Sequence, residues 1–216
     1  HDEVLNSLRW TTARGDARRR HDPRAFQPCP LFGDQWPLVV TRRAFLESGF
    51  TVAHLSDTRL VGYADRAGLV DSVVDAFAGG EAFVYAYWDD IDRTAHEFGL
   101  VEHYDDELMA CDVMVDELLD RLPADTAVVV TADHGQVHVG DRILELPAEV
   151  SGLIDGQSGE ARFRWLHART GAATDLAAAA AESFGEVAWV RSVDQVVADG
   201  WLGPVVTGSA RSTGRG

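Results

Sequence analysis

Two short stretches set carboxylates and imidazoles close together. Tyr87-Trp88-Asp89-Asp90-Ile91-Asp92-Arg93-Thr94-Ala95-His96 puts Asp92 four residues before His96, and Val130-Thr131-Ala132-Asp133-His134-Gly135 puts Asp133 directly before His134. Groups of this kind have two uses worth weighing: ligation of a metal ion, or a general acid–base pair. A four-residue step across a strand-to-helix turn lets a carboxylate oxygen and an imidazole nitrogen face one point. Mixed oxygen and nitrogen ligation suits Zn²⁺ or a comparable divalent ion. Adjacent residues of a regular strand point to opposite faces, so Asp133 and His134 share a site only where the strand ends and the backbone turns. Gly135 permits such a turn. Two mixed sites at neighbouring strand ends suggest a two-metal centre about 4 Å across, the arrangement that stabilises phosphoryl displacement.

Blander readings stand beside these. An Asp four residues before a His recurs by chance, whereas Asp-His-Gly after a valine-rich run is more specific, and the two in order strengthen each other. His138 is either a further ligand or part of a following hairpin, the second being favoured. His96-Glu97 opens like a zincin motif, but Leu100 stands where the second histidine is required. His103 and His167 have no companion and read as surface or core residues. Asp89 and Asp90 read as partners of the ligands or as helix-start acids, the latter favoured for at least one.

The elements that must position these residues follow from periodicity. Pro37–Thr41 and Ala82–Trp88 read as buried strands. Val70, Val73, Val74 and Phe77 recur at helical spacing before a Gly79-Gly80 stop. Tyr104, Leu108, Cys111, Val115, Leu118 and Leu122 form one helical stripe, broken by Pro123 and Asp125. Thr126–Thr131 is uncharged and β-branched, a third strand. This alternation argues a parallel sheet with helices on its faces, where ligands gather above the carboxyl ends of the strands. Later, Arg162–Ala168 and Val187–Arg191 read as strands flanking an Ala-rich helix over 176–184, and Ser192 as the N-cap of a last short helix ending at Gly200. The expected organisation is a core over 1–140, an α+β elaboration of the same domain over 141–206, and a disordered tail over 207–216.

With 35 acidic against 19 basic residues, all of the latter arginine, the formal charge is −16. So acidic a surface repels phosphate backbones and argues against general nucleic-acid binding. Arg18, Arg19 and Arg20 form a basic cluster that reads as an anion site or, preferably, as a solvated loop. No apolar run approaches the roughly 18 residues of a membrane helix. Cys29 and Cys111 are far apart, form no CxxC pair and read as free thiols. Cytoplasm is the expected compartment, from those thiols and the lack of a leader in these residues. His1 opens the chain and Met109 is its first methionine, so a longer parent protein is expected.

YWDDIDRTAH followed by VVVTADHG resembles the type I phosphodiesterase/nucleotide pyrophosphatase branch of the alkaline phosphatase superfamily. DEVLNSLRW, RFRWLHAR and DGWLGPV are similar to bacterial members of that family. The resemblance implies an alkaline-phosphatase-like α/β fold, incomplete at both termini, and two divalent metal ions, usually zinc. It matches Asp92 and His96 to two ligands of one ion, and Asp133 and His134 to two of the other. It further implies a small phosphate-ester substrate, which paired cations attract to an acidic protein, and a metal-activated Thr or Ser nucleophile. Thr11, Thr12 and Thr94 lack the context of that nucleophile, which is expected upstream of this chain, as a further His ligand is expected downstream. A non-catalytic remnant, or a related sulfatase or phosphomutase, is the alternative. Nothing in the residues sets the oligomeric state.

Overall fold

A computed structural model describes residues 3–204. Residues up to Val139 form one compact unit and those from Gly140 another. The first opens with a small antiparallel ribbon, β1 (Thr11–Thr12) and β2 (Gly15–Asp16), and a short helix, α1 (Pro23–Phe26). Then come β3 (Leu38–Arg42), a 3₁₀ turn over Arg43–Phe45, α2 (Gly49–His54), β4 (Arg59–Tyr63), α3 (Arg66–Ala78), β5 (Val84–Ala86), α4 (Asp90–Phe98) and α5 (Glu102–Arg121).

The main sheet is parallel, in the order β4-β3-β5. Val39 and Val40 point to opposite faces of the central strand, yet both are fully buried. A strand covered on both faces carries an unbroken apolar run, as LVV does. Val40 lies in the main core with Tyr63, Leu69, Val70, Val73, Met114 and Leu118, so α3 and α5 press their apolar stripes against this strand. In α5 the stripe is rotated slightly from the expected one: Met114 is buried and Leu108 faces outward. Cys111 packs against the same core as a free thiol, and Cys29 is free and exposed. Asp65 caps α3 by accepting from the Gly68 amide, and Gly80 follows the helix with a φ of 95°.

Two expected strands do not form among the described residues. Thr126–Thr131 pairs with no described strand and leaves Val129 and Val130 exposed, so β5 is an edge of the sheet among these residues. Its β-branched composition suits a buried strand, but ladder pairing is a long-range condition that local composition does not contain. Val187–Arg191 is likewise irregular. Its Trp189 is exposed and packs edge-on against Trp201, ring centroids 5.6 Å apart.

In the second unit, α6 (Ala148–Ser151) precedes β6 (Ile154–Glu160), which pairs antiparallel with β7 (Phe163–Ala168). The helices α7 (Ala173–Phe184) and α8 (Val193–Ala198) follow. Ser192 caps α8 in a reciprocal box with Gln195. The hairpin also gives His167 a partner, Ser158 Oγ at 2.8 Å from its Nε2. The segment 207–216 lies outside the described residues. Among the described residues, no helix is long and apolar enough to cross a membrane.

Gly62 shows how closely β4 approaches its neighbours. A Cβ there would meet Leu46 Cδ1 at 2.7 Å and the Arg43 Cα at 3.0 Å. The backbone of the 3₁₀ turn cannot easily move, because the turn continues directly from β3. Gly62→Ala is therefore expected to destabilise the protein by about 1–3 kcal/mol, as overpacking does, outweighing the entropy it removes from the unfolded chain. Urea unfolding measures this, and an unchanged or raised midpoint would refute the close packing.

Candidate metal centre

The site forms at the carboxyl end of the parallel sheet, and Arg42 organises it. As the last residue of β3, Arg42 donates from Nε to Asp89 Oδ1 and from Nη2 to Asp90 Oδ1, each at 2.7 Å. Arg93 adds a second guanidinium on Asp90 Oδ1, its Nε at 3.0 Å. The Arg42 guanidinium lies 5.5 Å from the ring centroids of both Tyr63 and Trp88, within cation–π range. Tyr63 donates its hydroxyl to the Tyr87 carbonyl at 2.9 Å, and Trp88 Nε1 donates to Glu107 Oε1 on α5 at 2.9 Å. Burial lowers the Arg42 pKa, but hydrogen bonds and charge from Asp89 and Asp90 outweigh it and hold the guanidinium above its ordinary value. Burial, reinforced by the Asp89 charge, lifts the Tyr63 phenol well above the usual range and keeps it a donor.

Asp89 occupies the N-cap position of α4 but caps no amide with its side chain, which is committed to Arg42. Asp90 is thus a helix-start acid as well as an anchor, and with Asp89 it fixes where α4 begins. Asp90 and Asp92 do lie in the first turn, where negative charge suits the helix dipole.

From that start, helical geometry brings residues four apart onto one face. His96 Nε2 lies 3.6 Å from Asp92 Oδ1. The second loop arrives at the same atom, with His134 Nε2 at 3.8 Å from Asp92 Oδ1 and also 3.8 Å from Asp133 Oδ1. These separations exceed hydrogen-bonding distance. They come within a few tenths of an ångström of the spacing, about 3.4 Å, between two donors on one tetrahedral zinc ion. All four side chains are substantially exposed, Asp133 most of all at 85%.

The tautomer of His134 follows from its surroundings. Its Nδ1 lies 3.0 Å from the Gly135 carbonyl, which can only accept, so Nδ1 carries the proton. Nε2 of the neutral ring then turns a lone pair toward two carboxylate oxygens. Metal-binding histidines are oriented in this way, by a carbonyl on the far nitrogen. The Gly135 contact first and then the Asp133 charge raise the His134 pKa against a lesser lowering by burial, with Asp92 adding a smaller upward effect. The donor chemistry and the pairwise distances fit a divalent ion. The shell is nevertheless open: among the described residues, no three His, Cys, Asp or Glu side chains are arranged to hold one ion.

Neither loop motif drew attention to Arg42, Tyr87 or Gln136. Tyr87 is the residue whose phenol feels the site most broadly, its pKa raised by burial and then by Asp89, Asp133 and Asp92. Its place two residues before Asp89 in the strand-end run was the available signal. His103 stands apart from the centre, its ring 4.8 Å from that of Phe98. Arg18, in the basic cluster, is engaged by Asp16, and Arg20 by Glu3.

A parallel α/β sheet with acidic and imidazole side chains gathered over its carboxyl ends defines the class. The family model for type I phosphodiesterase / nucleotide pyrophosphatase matches residues 33–191, and the chain belongs to that family, within the alkaline phosphatase superfamily. The match covers the sheet, both loops of the centre and most of the second unit, and the family is one of phosphodiesterase and pyrophosphatase-type hydrolases. No match was found among the curated proteins or among the solved structures.

Removing Arg42 strands the partly buried Asp89 carboxylate and leaves Asp90 to Arg93 alone. Arg42→Met is expected to cost on the order of 3 kcal/mol in urea unfolding, the range for breaking a desolvated pair from one side. A loss below about 1 kcal/mol, the scale of an exposed pair, would show that the clamp does not hold the strand end together.

Proposed function

We propose that the chain serves the hydrolysis of small phosphoric esters at a centre of two divalent cations. Asp92, His96, Asp133 and His134 are the proposed ligands, and zinc is the ion their mixed donors suit best. The observation that carries this reading is the meeting of two loops at one oxygen: Asp92 Oδ1 lies 3.6 Å from His96 Nε2 and 3.8 Å from His134 Nε2. When bound, such ions stabilise charge on phosphoryl oxygens and lower the pKa of coordinated water. Asp89 and Asp90 are spent on Arg42 and Arg93, so they hold the helix start while Asp92 and Asp133 face imidazoles. Thr12 is not proposed as a nucleophile, since its Oγ1 accepts from the Arg14 amide and from Arg20. Thr94 is buried on α4 and is not proposed either. A net charge of −16 favours a small substrate drawn by local cations over a nucleic-acid polymer.

The open shell favours a second reading, a member of the family that binds metal without turnover. One experiment separates the two. The metal-stripped chain is titrated with Zn²⁺ and then assayed with bis-p-nitrophenyl phosphate, beside Asp92→Asn and Asp133→Ala. The proposal expects saturable zinc binding, weakened at least about tenfold in Asp92→Asn, and zinc-dependent turnover abolished by Asp133→Ala. Binding without turnover supports the non-catalytic reading, and a chain that takes up no zinc refutes the ligand assignment.

A further inference from the structure

The structure assigns Gln136 a role that neither loop motif contains: it is the positioning residue for the Asp92 carboxylate. This rests on the proposed reading of Asp92 as a ligand. Gln136 lies two residues beyond His134, and its Nε2 donates to Asp92 Oδ1 at 3.1 Å. An ionised carboxylate only accepts, so the amide must turn its NH₂ end toward Asp92. Its other end is committed by that choice. Gln136 Oε1 is buried and has no hydrogen-bond partner among the described residues. A buried carbonyl without a donor is unfavourable, and an apolar side chain of similar size would avoid the cost. What the glutamine offers in return is the bond at its other end.

That bond falls on the atom where the two loops meet. Asp92 Oδ1 lies 3.6 Å from His96 Nε2 and 3.8 Å from His134 Nε2. The Asp92 side chain is 44% exposed, so without a restraint its carboxylate could rotate toward solvent. One N–H on Oδ1 fixes that rotation and keeps the oxygen between the imidazoles. The donor is also neutral. Arg42 and Arg93 neutralise the acids they touch, whereas an amide orients Asp92 and leaves its full charge for a cation. The same bond ties the irregular second loop to α4 and sets the distance between the two halves of the centre.

The test is zinc titration of the metal-stripped full chain against a chromophoric chelator, beside urea unfolding of the metal-free protein. The variants are Gln136→Leu and Gln136→Met; both delete the donor and the orphaned carbonyl, and methionine keeps the length. Zinc affinity is expected to fall about 10- to 100-fold in both, while the metal-free urea midpoint holds or rises. A glutamine that served only structure would show the reverse, a lower midpoint with affinity retained. Wild-type affinity in either folded variant overturns the positioning role and leaves the ligand reading intact. Loss of folding in both variants assigns Gln136 to structure and overturns the role as well. Wild-type protein without saturable zinc binding overturns both readings together.

Discussion

One guanidinium holds the functional end of this sheet in place. Arg42 leaves the central strand and meets Asp89 and Asp90 with two separate N–H groups, against the rings of Tyr63 and Trp88. Carboxylates this far removed from water are costly unless paired and hydrogen-bonded. A planar fork can satisfy two of them at once, where the point charge of a lysine could not. The consequence reaches beyond the pairs themselves. Asp89 and Asp90 are where the chain leaves β5 and enters α4, so fixing them fixes the axis and phase of the helix. Asp92 and His96 then take their places through helical geometry, without needing contacts of their own to the sheet.

Charge is divided by the same network. Four acids crowd the loop ends, and an unrelieved cluster would repel itself. Asp89 and Asp90 receive the guanidiniums, which removes them from the electrostatics of the open face. Asp92 and Asp133 receive imidazoles and, for Asp92, a neutral amide. The result is a surface where negative potential remains concentrated at two oxygens instead of being spread over the crest. A chain of formal charge −16 surrounds it, so the long-range field also favours arrival of a cation. Anionic groups would approach only after the cation had reversed the local sign.

How much of this the residues announced depends on whether the cause was local. Helical stripes are local, and α3 and α5 lie where the valines and leucines recur, save for the rotation that buries Met114 in place of Leu108. The pattern gave β3 for the same reason, since LVV is a short unbroken apolar run. Pairing is not local. TAVVVT has the composition of a buried strand and no ladder, while β4 (RLVGY) and β6 (IDGQSGE) carry glycines and polar residues yet are paired. Gly62 weakened the strand signal in β4 for a tertiary reason, the closeness of Arg43 and Leu46. The candidate ligands stood out because acid and imidazole were neighbours in sequence. Arg42 did not, since its partners are 47 and 48 residues away, nor did Gln136, which is 44 residues from Asp92.

The two halves of the centre are consequently unequal in how they are held. Asp92 and His96 ride on a helix whose first turn is pinned by ion pairs and whose packing runs through α5 to the core. Asp133 and His134 ride on an irregular segment, with the Asp133 side chain almost fully in solvent. The restraints around Asp133 and His134 include the His134 amide to the Asp133 carboxylate, the His134 ring to the Gly135 carbonyl, and the Gln136 amide to Asp92. The first two shape the loop internally. The third reaches the helix, where His134 Nε2 also lies 3.8 Å from Asp92 Oδ1. A cation bound between the halves would thus draw its fixed geometry from α4 and impose order mainly on the other loop, because free energy released by ligation goes first into the groups with the most freedom to lose.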